Sequence, residues 1–189
     1  MQLSHAGRQS PRYATRQPVG PSAVTLDLLG SYKTPRALED AEIGEIIERF
    51  GAAAKVAQEC GFTGVQVHGA HGYLISSFLS PVTNRRTDRW GGGPIERTRY
   101  VVEALKRVRA RVGDGIALGI RVNGGESREG GYDNMELREM LFHIASQGLL
   151  DFVDIDTGHC WGAPSYVPSS YQPHAEFREF GKEIGRAHV

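Results

Sequence analysis

Apolar residues follow two alternating rhythms along this chain. From Glu39 to Cys60, the residues Ile43, Ile46, Ile47, Phe50, Ala54 and Ala57 recur at steps of three and four, which predicts a helix with one buried stripe. Gly61 supplies its stop. Gly64-Val65-Gln66-Val67-His68 then reads as a short strand. The cycle repeats: Pro94 suits the first turn of a helix, Val101, Leu105, Val108 and Val112 form its stripe, Gly113 ends it, and Ile116 to Val122 is the next strand. A third helix, from about Met135 to Gln147, buries Met140, Leu141 and Ile144 and stops at Gly148, and Phe152 to Ile155 is a strand. Met1 to Gly7 reads as the last part of another strand running into a glycine turn. A last helix is expected near His174, with Phe177 and Phe180 inward. Residues 8–37 and 69–93 lack a clear period and read as long loops.

Strands that are near-continuously apolar and separated by helices indicate a parallel sheet with helical crossovers. No G-x-G-x-x-G follows the first strand, so a (β/α) barrel is favoured over an open dinucleotide-binding sheet. A full barrel has eight strands and usually about 250 residues. The expected fold is therefore α/β, a partial (β/α)8 TIM barrel with about four of the eight units. Four consecutive parallel strands are predicted near residues 1–4, 64–68, 116–122 and 151–155, with helices on one outer side. Residues 1–183 are assigned to this domain piece, cut at both ends. The last six residues, Ile184-Gly185-Arg186-Ala187-His188-Val189, back-translate to ATC GGA AGA GCA CAC GTC, a sequencing-adapter tract, and residues 184–189 are expected to be a non-native tail.

Composition narrows the partners. The 22 Lys and Arg balance the 22 Asp and Glu, which gives no electrostatic reason to expect nucleic acid or an anionic membrane. No apolar run approaches the roughly 20 residues that span a bilayer, and the N-terminus lacks the apolar core of a signal peptide. Two cysteines, Cys60 and Cys160, make no disulfide framework, so a reducing cytoplasm is the default. Arg107, Arg109 and Arg111 are interleaved with apolar residues on a helix and are expected to form a solvated face.

In a parallel barrel the active site lies at the C-terminal ends of the strands, and the unusual polar residues fall there. Gln2 and His5 end the first strand, and His68, His71 and Tyr73 follow the second. Arg121 sits late in the third, and Asp154, Asp156 and His159 follow the fourth. His68-Gly69-Ala70-His71-Gly72-Tyr73 is the sharpest signal: two histidines three apart, just past a strand, can aim ring N–H groups at one oxyanion or polarised carbonyl. Tyr73 is a weak acid near the same point. A zinc pair is the alternative reading of H-x-x-H, but helical zinc pairs need i, i+4 spacing and a third ligand. Arg121 in a buried strand needs an anionic or electron-rich partner, and its planar fork suits a reduced flavin ring.

Met1 to Arg8, His68 to Trp90 and the strand Ile120-Arg121-Val122 resemble the NADH:flavin oxidoreductase/Old Yellow Enzyme family. Phe62 to Arg99 carries nearly the whole family signature, including Phe78-Leu79-Ser80-Pro81, Asn84-Arg85-Arg86-Thr87-Asp88 and Gly91-Gly92. The resemblance implies an FMN-binding barrel that moves hydride from NAD(P)H through flavin to an activated alkene or enone, a small-molecule substrate. It implies that Gln2 bonds the flavin pyrimidine edge and that Arg121 stabilises the anionic reduced flavin. His68 and His71 would bind the substrate carbonyl, Tyr73 would protonate the substrate carbon, and Asn84 to Asp88 would brace the long loop. Gly93 and Glu96 depart from the family's usual Ser and Asn. Thr157 to Tyr171, with Trp161 and Tyr166, looks more like the amine demethylase and dienoyl-CoA reductase branch. That branch often carries further FAD and iron–sulfur domains, whose cysteines would lie downstream, and a homo-oligomeric parent is compatible with it. Two other readings stay open: flavin-dependent oxidation of an N-methyl amine, and an inactive, partly folded fragment.

Overall fold

The computed structural model describes residues 1–26, 32–156 and 158. Its main sheet has four parallel strands in chain order: β1 (Gln2–Leu3), β4 (Gly64–Gly69), β5 (Ala117–Asn123) and β6 (Phe152–Asp156). A small parallel pair, β2 (Val19–Gly20) with β3 (Arg36–Ala37), lies between the first two. Helix α1 (Asp40–Glu59) leads into β4, α4 (Arg99–Val112) into β5 and α5 (Asn134–Ala145) into β6. Strands added one by one, each after its own helix, build the wall of a (β/α)8 barrel, of which the described residues supply four strands.

Side chains alternate across each strand. Val65 and Val67 of β4 and Leu118, Ile120 and Val122 of β5 are buried in one apolar cluster with Ile43, Phe50 and Ala54 of α1, Val101, Leu105 and Val108 of α4, and Met140 and Ile144 of α5. The opposite face carries the polar members of each strand, so the core lies between sheet and helices and the chemistry lies inside the wall. At its lower level Gly119 makes room for Phe152: a Cβ there would stand 2.2 Å from the Phe152 ring.

The predicted strands are found within a residue or so of their expected bounds, and so are the three predicted helices, with one break. The 94–112 helix is split into α3 (Pro94–Arg97) and α4 at Thr98, whose hydroxyl donates to Ile95 O at 2.6 Å. Two loops contain more order than expected. Residues 8–37 hold the β2–β3 pair. Residues 69–93 hold α2 (Leu74–Leu79), all six residues of which are buried; a helix with no polar face shows no amphipathic period. Ser77 and Ser76 in α2 turn their hydroxyls to the preceding turn instead of to water.

Arg109 corrects the expectation of a solvated arginine face. Its side chain is only 16% exposed and donates to Leu149 O (2.8 Å), Ile116 O, Gly113 O and the Asp151 carboxylate (2.7 Å). Arg107 and Arg111 do face solvent, and both pair with Glu48 of α1. The bracing expected of Asn84 to Asp88 is present: Asn84 Nδ2 donates to Phe78 O and Trp90 O, and Arg86 donates to Pro21 O and Leu38 O. Gly93, at the N-cap of α3, offers that helix no side-chain bond. The helix expected near His174, the branch-like segment from Thr157 to Tyr171 (where only Gly158 is described), His159 and the tail 184–189 lie outside the described residues.

The loop after β5 holds a buried carboxylate. Glu126 Oε2 accepts from Ser80 Oγ at 2.7 Å and from Tyr132 N. Burial raises its pKa, opposed by those bonds and by Arg128 and Arg8. A carboxyl whose folded pKa is raised binds its proton more tightly when folded, so its contribution is fully present at low pH and is lost as pH rises through the folded pKa. Glu126→Gln keeps the acceptor and removes the charge. Its melting temperature should exceed wild type by about 2–4 °C at neutral pH, corresponding to roughly 1 kcal/mol, and the gap should close near pH 4. A melting-temperature series across pH would reject this if the gap were constant or reversed.

Candidate active site

The register of the wall brings the inward side chains into rows. His68 lies opposite Arg121, Arg121 opposite Asp154, and Asn123 opposite Asp156. Gln2 lies opposite Gln66. Strand alternation therefore delivers Gln2, Gln66, His68, Arg121, Asn123, Asp154 and Asp156 to one concave face at the C-terminal side of the sheet.

A polar chain joins them. Gln2 Nε2 donates to Gln66 Oε1 at 2.6 Å, and Gln66 Nε2 donates to Asp154 Oδ2 at 3.0 Å. Arg121 Nε stands 3.7 Å from the same Asp154 oxygen, while Arg121 Nη2 donates to Asp156 Oδ2. That Asp156 oxygen also lies 2.9 Å from His71 Nε2. The ring of His68 meets the rings of His71 and Tyr73, each at 5.1 Å between centroids, with His71 edge-on.

Burial decides the protonation of His68. Its pKa is pushed down to about 4 by burial first, then by the positive charge of His71 and Arg121, with Asp156 acting the other way. At neutral pH His68 is therefore a neutral imidazole that can donate one ring N–H. Two buried nitrogens, His68 Nδ1 and Arg121 Nε, have no hydrogen-bond partner among the described residues. An unsatisfied buried donor costs about 1–3 kcal/mol, so both atoms fit a site in which a ligand supplies acceptors.

The five residues for which the resemblance implies a flavin or substrate role, Gln2, His68, His71, Tyr73 and Arg121, lie on or beside this face. His68, His71 and Tyr73 form one cluster, and Arg121 joins it through Asp156. Gln2 is exposed and, among the described residues, reaches the others through Gln66 and Asp154. His5 stands apart: its Nδ1 accepts from Gly7 N at 3.0 Å, and it lines a cleft of about 330 Å³ with Ile46, Arg49 and Phe50. Sequence reasoning missed Gln66 and Asn123. Both sit at even spacing from His68 and Arg121 on their strands, and that two-residue period was the available signal.

The family model for the NADH:flavin oxidoreductase / NADH oxidase family matches residues 1–179. The NADH oxidase of Thermoanaerobacter brockii is 44% identical over 175 residues, covering 91% of this chain and 26% of that protein. Among solved structures, a 2-naphthoyl-CoA reductase in complex with 2-naphthoyl-CoA superposes with a TM-score of 0.90 at 28% identity, over 99% of this chain and 30% of that one. An Old Yellow Enzyme homologue from Zymomonas mobilis gives 0.76 at 29% identity, over 98% of this chain and 52% of that one. The chain thus spans between about a quarter and a half of these relatives. With a match over nearly its whole length and the barrel wall to go with it, this chain belongs to the NADH:flavin oxidoreductase / NADH oxidase family, in which the Old Yellow Enzymes are its structural neighbours.

Proposed function

We propose that the protein to which this chain belongs is an FMN-dependent oxidoreductase that transfers hydride from NAD(P)H to an alkene conjugated to a carbonyl. The observation that carries this reading is the single concave face on which a neutral imidazole, a phenol and a wall arginine with an unsatisfied Nε converge. FMN, when bound, would supply the hydride it has accepted from NAD(P)H. Arg121 and Gln2, with Gln66 beside it, fit the polar edge of such a ring: one cation whose Nε makes no hydrogen bond among the described residues and two carboxamides that can both donate and accept. The relative that binds 2-naphthoyl-CoA, an acyl thioester conjugated to a ring, supports a carbonyl-activated substrate.

The protein's own groups have distinct tasks. His68 and His71 grip the carbonyl oxygen, so that charge developing there meets preformed donors in a water-poor site. His68 does so as a neutral donor. Tyr73, against the His68 ring, hands its hydroxyl proton to the substrate carbon opposite the hydride. Arg121 is held between Asp154 and Asp156, which orients its fork before the cofactor arrives.

A second reading, oxidation of an N-methyl amine, is favoured by those same carboxylates. Asp154 and Asp156 outnumber Arg121 on the inward face, and a cationic amine would be drawn to them.

Tyr73→Phe separates the two readings. It should slow substrate reduction by about 10²–10⁴-fold and leave flavin reduction by NAD(P)H unchanged, as followed by stopped-flow absorbance of each half-reaction. Equal slowing of both halves would reject Tyr73 as the acid, and no effect on either would favour amine oxidation.

The 189-residue chain on its own should bind FMN only weakly. The described strands supply groups for the ring edge, whereas barrel cofactors commonly set their phosphate on the loops after the seventh and eighth strands, at a helix N-terminus. Flavin fluorescence during titration would show this. Stoichiometric binding with a sharp cooperative melt would overturn it.

A further inference from the structure

His71 is one of two non-glycine residues with positive φ among the described residues, at 62°, and Gly72 follows it at 75°. A left-handed histidine is costly and persists only where the surroundings over-determine it, whereas Gly72 enters that region freely. Here every polar atom of the two peptide units is held by a side chain. His71 N donates to Asn123 Oδ1 at 2.8 Å, and His71 O accepts from Gln9 Nε2 at 2.6 Å. Gly72 N donates to Ser76 Oγ and Gly72 O accepts from Ser77 Oγ, both at 3.0 Å. All four side chains belong to buried residues: Gln9, Ser76, Ser77 and Asn123. The serines belong to the turn's own helix. Gln9 and Asn123 come from elsewhere, just past β1, which carries Gln2, and at the end of β5, which carries Arg121. Asn123 also donates from Nδ2 to Gly158 O, past β6.

We propose that Gln9 and Asn123 are positioning residues: they hold the His71–Gly72 turn in its left-handed form and so aim the His71 ring at His68 and Asp156. A relaxed turn would place residue 71 in the ordinary right-handed or extended region and swing its ring off the face. The clamp has a second effect, because it ties the loop bearing His71 to the segment that follows β1 and to the end of β5, the strands that carry Gln2 and Arg121. The position of His71 relative to His68 and the wall arginine, whose own spacing the β4–β5 pairing fixes, is then set by two side-chain amides. This inference rests on the reading of His68 and His71 as the substrate-binding pair, but its test does not.

The readout is His68 itself, followed by NMR of its ring protons across pH. The groups facing it are His71 and Tyr73 in the loop after β4, Arg121 of β5 and Asp156 of β6. In wild type, burial and the nearby positive charge of His71 and Arg121 hold it to about 4. In Asn123→Ala the His71 ring leaves and water enters, so His68 should become at least about tenfold easier to protonate, and the cross-relaxation between the two rings should vanish. Gln9→Ala should shift it in the same direction by less. Asn84→Ala, which removes two buried bonds elsewhere in the same loop, should lower the melting temperature and leave the His68 titration unchanged. If Asn123→Ala fails to fold, Gln9→Ala decides. An unchanged His68 titration and intact ring contact in a folded Asn123→Ala, or in Gln9→Ala when that variant alone is available, would overturn the proposal. A shift without loss of turnover in the complete enzyme would leave the clamp standing and remove the histidines from the reaction.

Discussion

The in-register parallel pairing of β4 with β5, and of β5 with β6, is the constraint from which the site follows. Once His68 stands opposite Arg121 and Arg121 opposite Asp154, the two-residue alternation of a strand leaves no freedom. A slip by one residue would send His68, Arg121 and Asn123 into the helix layer and put Val67, Ile120 and Val122 inside the barrel. The cost of burying a guanidinium among aliphatic side chains fixes the register as firmly as the apolar cluster does.

Charge on the inward face is arranged so that each ionised group among the described residues has a counter-charge. Arg121 lies between two carboxylates, one of which also meets His71, and the buried His68 stays neutral. The same neutrality sets an acid limit. His68 binds its proton less tightly folded than unfolded, so its contribution is fully present above the ordinary histidine value and is lost as pH falls through the folded value of about 4.

Much of this was legible in the chain. The helices around Ile43–Ala57, Val101–Val112 and Met140–Ile144 showed their stripes, and glycines marked their ends. The polar residues placed late in each strand or just past it were visible because such residues are costly inside a wall without a use. What stayed hidden was the part whose logic is local hydrogen bonding. The segment Leu74–Leu79 carries no periodic stripe, because it is buried on every side. Gln9 gave no sign either, because a carboxamide that holds a backbone group 62 residues away leaves no spacing to detect, and the two-residue period that marks Asn123 as inward says nothing of the backbone it holds 52 residues away. Arg109 looked like an ordinary surface charge because its neighbours in sequence are; only the tertiary placement of Leu149 and Asp151 turned it inward.

Arg109 sits at the opposite end of the strands from the histidines. With one guanidinium it gathers the end of α4, the approach to β5 and the segment that enters β6. The lower rim is thereby closed by bonds that owe nothing to the loops above. Such an arrangement separates what may vary from what may not. Loops at the upper rim can change in sequence while the frame beneath them keeps its spacing. At the lower rim the carbonyl partners are main chain and survive any side-chain change, so only Arg109 and Asp151 would have to be exchanged together.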